Sequence, residues 1–550
     1  MYNILIKIKK GDEGLSLEPE YKGFKKQNLG ELKPLSSVVY MGDGRLKTGS
    51  SVEKTLNSSF GYLYGFDENG CLLIYRDRLG TFPLFMFDDK KNNQLILFNR
   101  FYLIKEYWND LNIDKIGFWE TLLYESTLGS KSLFSNILQI PCGSYVKIAP
   151  NLRYSINRYW HINYEKKRGF LKEDFLKESF ERFDQVFAKL DKDKQYLLPI
   201  SGGVDSRLMA AFMARHLPKN NIHSITYGFD SKILEYSYAK QVTSALGLRS
   251  PTFHKLTKDS YTKNLKPLTE ITGGCISIQN CHLFDFVSQR FDHVDSICSS
   301  AYSDGIMGFD AKQHDDKRDS FDDCPPHNIL KVWSSKVAMP SSVSEAIKNE
   351  LYKDFLEWRD MSTISSIEEY IYLIERNNKF HLLGSDIFRE YGDIVLPFTE
   401  PEITDFYFTI SNKFRHRKLG SIDMLKTYFP SLSNIKTIGS LFGEEGLKRP
   451  LRFSYFKLVN FVNYISANLL NDKMLFLNPY QTETHGYNLR KYHRGDLRKA
   501  VDYLHANDIL DGSLSDTLNN IPARNASEFT LRYQIINGAY VLAHFKGDVF

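Results

Sequence analysis

One short stretch of the chain restricts its possible folds more than any other feature. Residues 196–212 read YLLPISGGVDSRLMAAF, in which a short apolar run ends at a Ser-Gly-Gly turn and a helix-like run follows. This order predicts a buried strand, a sharp turn and a helix. A second apolar run at 222–227 and a second helix-like run at 234–246 follow at similar spacing. Strands that alternate with helices predict a parallel sheet with helices on both faces.

The turn in this unit has the features of an anion site. The N–H groups of Gly202 and Gly203 can face a ligand without obstruction by Cβ, and the helix that follows directs its free N–H groups to the same point. Ser201 and Ser206 add hydroxyl donors, whereas Asp205 would repel a bare anion and therefore indicates a bridging Mg²⁺. A serine-capped glycine turn without a ligand is the alternative. Walker and dinucleotide patterns are absent, so we predict another kind of phosphate-binding loop.

The periodicity of the remaining sequence divides the chain into two parts. In the first part, short alternating or apolar runs predict strands at 2–8, 72–75, 95–98 and 144–148, and a helix is predicted at 115–135. After about residue 160, a charged helical stretch at 165–190 precedes the strand–turn–helix unit, and the sequence after residue 340 is mostly helical. We therefore predict two domains, residues 1–162 and residues 163–550.

Composition limits the classes of partner. The chain has 550 residues, of which 42% are hydrophobic and 25% are charged, the balance of a globular protein with more than one core. A net charge of +5 without a long basic block argues against a dedicated nucleic-acid binder. No run of about 18 apolar residues and no signal peptide is present, so we expect no membrane contact and a cytoplasmic location. Residues 411–450 are locally basic, which suits either a solvated face or a positive wall near a polyphosphate.

These motifs resemble those of the asparagine synthetase family. SGGVDS at 201–206 is similar to the family's SGGxDS pyrophosphate loop, and RDRLGTFPLF at 76–85 resembles the RDRLGxxPLY segment of its N-terminal glutaminase-like domain. The resemblance implies an α/β chain with an N-terminal αββα domain of the Ntn type. An ATP-pyrophosphatase domain would follow, with a doubly wound parallel sheet and a mostly helical C-terminal part. It also implies a carbon–nitrogen ligase that uses ATP and Mg²⁺ and releases AMP and pyrophosphate.

The same resemblance assigns residues to the nucleotide and metal site. SSAYSDGIMG at 299–308 is similar to the family's SGxGxDxxxGG loop, which makes Asp304 a second Mg²⁺ ligand beside Asp205. Tyr227 and Gly228, at the end of the second predicted strand, are expected to contact the nucleotide together with the SGGVDS loop.

Three residues are expected to act on the reacting groups. Lys436 stands about where the family has a lysine that stabilises the leaving pyrophosphate, with Lys448 as a rival. DIVLPFT at 393–399 resembles the ExRxPFL segment near the substrate pocket, which makes Asp393 a catalytic candidate. Tyr302 is a candidate for proton transfer, since Ala301 occupies the position of the family's catalytic Glu or Tyr. Glu390 and Glu400 are further carboxylates that could take this role.

The glutaminase residues of the family are missing. Members that hydrolyse glutamine use a cysteine directly after the initiator methionine, whereas this chain has Tyr2. A phenol cannot replace a thiolate as nucleophile, and neither Cys71 nor Cys142 can supply an N-terminal amine. Met41 and Gly42 stand where the family has an oxyanion-stabilising Asn-Gly pair. We therefore predict that the N-terminal domain is degenerate and does not hydrolyse glutamine.

Without glutamine, the nitrogen must come from another donor. In the β-lactam synthetases and lasso-peptide cyclases of this superfamily, the substrate itself carries the amine, so we favour a macrolactam, lasso-type cyclase. Its substrate would bear a carboxylate and an amine, a peptide being one candidate, and a partner enzyme or a homodimer is left open. One alternative is ammonia-dependent amidation of a sugar acid or small carboxylate in surface-polysaccharide or secondary metabolism. A nucleotide-binding pseudoenzyme is the other.

Overall fold

The computed structural model describes most of the chain up to residue 308 and selected segments beyond it. Up to residue 308 the gaps are 1, 13, 33, 43–50, 59, 125, 163–169, 229, 258–259, 261–262, 277–280 and 289–293. Beyond it, the described residues are 345–347, 349–350, 371–437, 454, 458, 461–462, 465, 497–510 and 526–548. Lys448 therefore lies outside the described residues.

The N-terminal part contains two antiparallel sheets. The first sheet has the order β2-β1-β8-β7-β9 and the second has the order β11-β10-β6-β5-β4-β3. Their strands are β1 (Asn3–Lys10), β2 (Leu15–Lys22), β3 (Lys25–Leu32), β4 (Leu35–Gly42), β5 (Gly61–Phe66), β6 (Leu72–Arg76), β7 (Phe85–Asp89), β8 (Gln94–Phe98), β9 (Ile137–Gln139), β10 (Ser144–Ile148) and β11 (Tyr154–Arg158). The four strands predicted in this region are thus confirmed as β1, β6, β8 and β10.

The two sheets share one core because alternate side chains of both point inward. Ile4, Ile6 and Ile8 of β1 pack in the same buried group as Ile74 of β6 and Val146 of β10. Helical segments cover the outer faces. The short helix α1 (Val52–Asn57) packs on the second sheet. The 3₁₀ segment Phe101–Asp110 and the C-terminal helix Ala526–Lys546 pack on the first sheet. The layered α/β arrangement is as predicted, while the Ntn assignment stays a prediction.

The central part contains the predicted parallel sheet. Its order is β14-β13-β12-β15-β16. The strands are β12 (Tyr196–Pro199), β13 (Ile222–Gly228), β14 (Thr252–Lys255), β15 (Ser296–Cys298) and β16 (Asp393–Val395), and every neighbouring pair is parallel. From β12 the chain first builds outward through β13 and β14, then crosses to the other side for β15 and β16. The carboxyl end of β12 is therefore at the point where the strand order reverses, which is where open parallel sheets bind ligands.

Helices cover both faces of this sheet. The α-helices after α1 are α2 (Lys115–Tyr124), α3 (Lys172–Ala188), α4 (Val204–His216), α5 (Leu234–Ala245), α6 (Leu265–Thr272), α7 (Cys281–Ser288), α8 (Ser303–Met307), α9 (Leu383–Asp386), α10 (Pro401–Thr409), α11 (Asn412–Arg415), α12 (Leu419–Tyr428), α13 (Pro430–Ser433) and α14 (Ala526–Lys546). A π-helix spans Ile371–Leu382, and 3₁₀ turns span Lys219–Asn221, Ile387–Glu390, Pro397–Thr399 and His416–Lys418. The alternate residues Leu198 and Leu197 of β12 face α3 and α4 on one side and α7 on the other.

The helix predicted at 115–135 is only partly correct. It runs from Lys115 to Tyr124, and turns and short bridges follow up to β9. Gly129 adopts a left-handed backbone with φ +59°, which a continuous helix cannot contain. No helix within the described ranges is long and apolar enough to cross a membrane.

Candidate active site

The SGGVDS loop connects β12 to α4, as the sequence predicts. Gly202 has φ +74°, and a Cβ at this position would lie 2.7 Å from Cβ of Tyr238 in α5. Both the backbone conformation and the close approach of α5 therefore require glycine. Gly203 precedes α4 in an extended conformation, with φ −69° and ψ 173°. The loop therefore makes a tight turn at the carboxyl end of β12, and α4 begins directly after Gly203.

The two serines of the loop hold its shape. Their Oγ atoms are 3.1 Å apart, and Ser201 Oγ also accepts a hydrogen bond of 3.2 Å from the N–H of Gly203. The N–H of Ser201 lies 3.3 Å from Ser206 Oγ. No side chain caps the N-terminus of α4, so the N–H groups of its first turn remain available to an anion. The loop thus combines fixed hydroxyl groups with an uncapped helix N-terminus.

Asp205 and Asp304 lie on either side of one ammonium group. Lys418 Nζ is 2.6 Å from Oδ2 of Asp205 and also contacts Oδ1 of Asp304. Ser303 Oγ donates a 2.7 Å hydrogen bond to the same Oδ2 of Asp205. The Asp205 side chain is 14% exposed and that of Asp304 is 42% exposed, so the cluster opens to solvent on the Asp304 side. The predicted pairing of the two aspartates is present, with a lysine between them.

The electrostatics of this cluster follow from burial and proximity. Burial raises the pKa of the Asp205 carboxyl, and the positive charge of Lys418 opposes that rise. Burial alone would lower the pKa of Lys418, but the two carboxylates outweigh it and raise that pKa, so the lysine stays charged. Lys418 is therefore a permanent cation at the mouth of the loop.

The two carboxylates suit a divalent metal ion. Oδ1 of Asp205 is buried and accepts no hydrogen bond from any described residue, which leaves a lone pair for a ligand. Mg²⁺ prefers oxygen ligands and is commonly held by one or two carboxylates together with substrate phosphates. Within the described residues, no group of three or more His, Cys, Asp or Glu side chains could hold a metal. The donor set therefore fits an ion whose remaining ligands are phosphate oxygens or water.

Arg207 connects the loop to the segment that contains Lys436. The guanidinium of Arg207 is buried and donates 2.6 Å to the carbonyl of Gly202, 2.8 Å to that of Leu432 and 2.7 Å to that of Ile435. A weaker bond of 3.2 Å reaches the carbonyl of Lys436. Burial lowers the pKa of Arg207 to about 10. The Lys436 side chain is exposed. Its backbone is connected to the phosphate loop through Arg207, which donates to the carbonyls of both Lys436 and Gly202.

Tyr227 and Gly228 lie at the same edge of the sheet as the loop. They end β13, which pairs in parallel with β12 so that Ile225 is opposite Pro199. The Tyr227 side chain is partly exposed, and its ring lies 5.3 Å from that of His282. Gly228 is buried, and a Cβ there would lie 2.9 Å from Cδ1 of Ile233. Both residues are beside the loop, as expected for nucleotide contacts, which stay a prediction.

Tyr302 does not present its hydroxyl to the cluster. Its side chain is only 2% exposed, and the hydroxyl donates a 2.9 Å hydrogen bond to the carbonyl of Leu373 in the π-helix. Burial raises the pKa of this phenol well above its ordinary value. Tyr302 precedes α8 with φ +75°, so its backbone turns the chain and Ser303 and Asp304 follow. The structure gives Tyr302 a packing and turn-forming position, which does not match the predicted proton-transfer role.

Asp393 lies at the wrong end of the sheet for the predicted catalytic role. It begins β16 in register with Ser296 and, through β15, with Tyr196 at the start of β12. The phosphate loop follows the carboxyl end of β12. Because a strand of four residues is about 13 Å long, the loop is about that far from Asp393 along the strand direction. Asp393 accepts hydrogen bonds from Lys194 Nζ at 2.8 Å and from the Tyr2 hydroxyl. Although burial alone would raise its pKa, these two bonds lower the pKa of Asp393.

The other candidate carboxylates are also accounted for by local structure. Glu390 forms an ion pair of 2.7 Å with the buried Arg100. Glu400 precedes α10 and is 8% exposed.

Sequence reasoning missed Lys418, Ser303 and Arg207. Ser303 and Arg207 are each adjacent to a predicted site residue, Asp304 and Ser206 respectively. Lys418 belongs to the basic stretch at 411–450, and that charge bias was the one signal that could have indicated it. Arg417 and Lys418 both adopt left-handed backbone conformations, with φ +51° and +61°, directly before α12.

Comparison with known proteins agrees with this geometry over the central part of the chain. No curated protein matches the chain at a significant level. The family model described as asparagine synthase matches residues 181–413. That segment contains β12, the SGGVDS loop, α8 and β16, and it ends five residues before Lys418. The match supports the asparagine synthetase family, with its ATP-dependent carbon–nitrogen ligases, for the part of the chain that builds the parallel sheet and its phosphate loop.

Proposed function

We propose that this protein is an AMP-forming amide ligase that adenylates a substrate carboxylate for attack by an amine. The observation that carries the proposal is the joint position of the uncapped N-terminus of α4 and the Asp205–Lys418–Asp304 cluster at the carboxyl end of β12. Amides, hydroxyls and a permanent cation for phosphate oxygens thus adjoin two carboxylates for a metal ion. This is the set of groups that transfer of an adenylyl group from ATP requires.

Each residue has a distinct expected role in adenylation. The N–H groups of the loop and of α4 would bind phosphate oxygens, with Ser201 and Ser206 fixing the loop. Lys418 and Lys436 would stabilise the charge that develops on the departing pyrophosphate. Mg²⁺ held by Asp205 and Asp304 would neutralise phosphate charge and align the leaving group.

We further propose that the nitrogen does not come from glutamine. Tyr2 fills the position beside β1 with an aromatic ring that packs on Phe24 and Phe82, at centroid distances of 5.3 and 5.8 Å. Its hydroxyl donates to Asp393, so the group is engaged in a structural contact. Cys142 is buried, and burial raises the pKa of its thiol, which disfavours a nucleophilic thiolate.

The favoured subtype is a macrolactam, lasso-type cyclase in which the substrate's own amine attacks the adenylate. Confinement of both groups in one molecule supplies an effective molarity that lowers the barrier by roughly 7–11 kcal/mol. An internal amine is favoured here because, in the proposed reaction, no glutaminase site supplies ammonia. Ammonia-dependent amidation of a sugar acid or small carboxylate is the second candidate, because it also needs no glutamine.

Oxygen-isotope transfer tests the reaction class directly. A panel of peptides and small carboxylates, each labelled with ¹⁸O in the carboxyl group, is incubated with enzyme, ATP and Mg²⁺, and with ammonium, with glutamine or with neither. Adenylation must transfer one ¹⁸O atom to AMP, and product formed with neither nitrogen donor indicates an internal amine. Product that requires ammonium would select the second candidate, glutamine-dependent product would contradict the donor assignment, and release of ADP would contradict the proposal as a whole.

A further inference from the structure

The two metal-ligand candidates already share a protein cation. Lys418 Nζ is within 2.6 Å of Asp205 and in contact with Asp304, while Ser303 donates to the same Asp205 oxygen. Two carboxylates beside one ammonium leave a net charge of −1 at the cluster, compared with −2 without the lysine. Because divalent-ion affinity depends on ligand charge, this pairing weakens metal binding.

The position of Lys418 is built into the backbone and does not depend on a flexible side chain alone. Arg417 and Lys418 are consecutive non-glycine residues with positive φ, a conformation that costs free energy and persists only where its surroundings enforce it. The N–H of Arg417 donates 3.1 Å to the carbonyl of Gly308. Arg415 donates 3.0 Å to the carbonyl of Gly305 and 3.1 Å to that of Ile306.

These contacts join the Lys418 turn, residues 415–418, to α8, which contains Asp304. A Cβ at Gly308 would lie 2.5 Å from Cβ of Arg415, so the two backbones are in close contact at the end of α8. The backbone of the Lys418 turn is therefore held against α8, which contains Asp304, and Asp205 approaches both from α4.

A divalent ion bound by both aspartates would compete with this ammonium for their negative charge, even through Oδ1 of Asp205, because the ammonium lies on the adjacent Oδ2. The same Asp205 oxygen cannot keep a 2.6 Å contact with Lys418 and also bind a metal without bringing two cations together. Phosphate groups at the loop would offer Lys418 a new anionic partner, and its side chain is 16% exposed.

We propose that the Lys418 ammonium neutralises Asp205 and Asp304 and prevents a divalent metal ion from binding to them until nucleotide phosphates attract the ammonium away. The metal would then enter with the nucleotide and not before it. The second half of this statement rests on the proposed function, whereas the competition between Lys418 and metal concerns the protein alone.

Manganese binding to the nucleotide-free protein tests the competition. Mn²⁺ is titrated into wild type, Lys418→Met and Lys418→Arg, and free Mn²⁺ is followed by electron paramagnetic resonance. Removal of the charge should tighten Mn²⁺ binding at least about ten-fold, whereas arginine, which keeps the charge, should leave binding weak. Lys413→Met removes an exposed charge in the same segment and should leave Mn²⁺ affinity unchanged.

Equal Mn²⁺ affinity in wild type and Lys418→Met, or weaker affinity in the variant, would overturn the proposal. Circular dichroism melting reports whether each variant folds, and Lys418→Gln provides a second neutral side chain if the methionine variant does not. Asp205→Asn in the Lys418→Met background should abolish the gained binding, and binding that persists would also overturn the proposal. No ATP is present, so a negative result here is distinct from a failure to form AMP.

Discussion

Charged side chains buried in this protein have partners that offset the cost of removing them from water. Asp205 has Lys418, Arg100 has Asp386 at 2.6 Å, and Glu120 lies 3.2 Å from Lys131. The extent to which the partner offsets the cost of burial differs among these three charged groups. Glu120 is fully buried, and burial raises its pKa from 4.5 to about 7 in spite of Lys131. Glu120 is therefore a group whose charge weakens the fold near neutral pH.

Replacement of Glu120 by glutamine should stabilise the protein at alkaline pH. A raised folded-state pKa means that the stability contributed by protonated Glu120 is complete below pH 4.5 and is lost as pH rises through 7. Glutamine has no charge to lose and keeps a carbonyl oxygen for the N–H of Leu128. Glu120→Gln should thus gain about 1–3 kcal/mol at pH 8 and less than about 1 kcal/mol at pH 5.

Thermal unfolding of wild type and Glu120→Gln at pH 5 and pH 8 measures this difference. Glu31→Gln, on the exposed face of β3, is the matched control and should change the melting temperature at neither pH. A Glu120→Gln variant that is less stable at pH 8 would show that the ion pair with Lys131 outweighs burial.

At the scale of single residues, the sequence was sufficient to predict those site residues that lie next to one another along the chain. The SGGVDS loop could be predicted because strand, glycine turn and helix leave a local pattern, whereas the Asp205–Asp304 pairing was implied by the family resemblance. For Lys418 the basic bias of residues 411–450 indicated a region but not the residue, since neither residue type indicates the left-handed conformations at Arg417 and Lys418. Asp393 was misplaced because motif similarity does not tell which end of a strand a residue occupies.

At the scale of elements, the site is held together by contacts between α4 and the segment at 430–436. Arg207, in the first turn of α4, donates to carbonyls of Gly202, Leu432 and Ile435. No carboxylate among the described residues affects its pKa, which burial alone lowers. Its hydrogen bonds to carbonyls thus fix the backbone next to Lys436 relative to the phosphate loop.

Arg207→Lys should weaken nucleotide binding about ten-fold while the protein stays folded. Lysine keeps the charge, but one ammonium cannot reach carbonyls on both sides, and each lost bond to a charged donor is worth about 1.5–3 kcal/mol. Isothermal titration with a non-hydrolysable ATP analogue measures the dissociation constant. Arg215→Lys, at the exposed end of α4, is the control and should bind as wild type does.

A double-mutant cycle separates a positioning role from a structural one. If Arg207 acts by placing Lys436, then Lys436→Ala should cost affinity in wild type and almost none in the Arg207→Lys background. Fully additive losses in nucleotide affinity would contradict the positioning role.

The predicted strands β1, β6, β8, β10, β12 and β13 are present, whereas the buried β5 and β7 and the mostly exposed β2 and β3 were not predicted. β8 is buried along its whole length and β12 is buried up to Leu198, and both appear in the sequence as apolar runs. β2 and β3 are mostly exposed, contain residues such as Pro19 and Asn28, and are each paired with one neighbour only. Their formation depends on hairpin pairing with the neighbouring strands β1 and β4, which the polar pattern of β2 and β3 does not itself indicate.

At the scale of the whole molecule, the N-terminal sheets and the parallel-sheet part are joined by buried polar contacts. Arg100 pairs with Asp386 and Glu390. Lys379 of the π-helix donates 2.9 Å to the carbonyl of Thr127 and 2.6 Å to that of Gly129. In addition, α14 at the end of the described chain packs on the N-terminal part, where Phe545 lies 4.8 Å from Trp108. The sequence motifs contained no sign of these contacts.

Arg100→Met should destabilise the whole molecule and uncouple its two parts. The substitution leaves two buried carboxylates without this partner, and breaking a buried ion pair in this way costs about 3–5 kcal/mol. Urea unfolding should shift to a lower midpoint, and limited proteolysis should cut between the two parts. Arg153→Met, at an exposed position, is the control, and an unchanged midpoint in Arg100→Met would contradict this account of the interface.

The most direct measurement of the central claim is carboxylate-dependent exchange of labelled pyrophosphate into ATP. Wild type and Asp502→Asn, which changes an exposed carboxylate on the helix at 497–506, should exchange label in the presence of a carboxylate that the ¹⁸O assay identifies as a substrate. Asp205→Asn should reduce the exchange rate by at least about a hundred-fold with the fold intact, since it removes a ligand charge at the phosphate site. Exchange in Asp205→Asn at the wild-type rate would contradict the assignment of the SGGVDS loop and its aspartate to ATP cleavage.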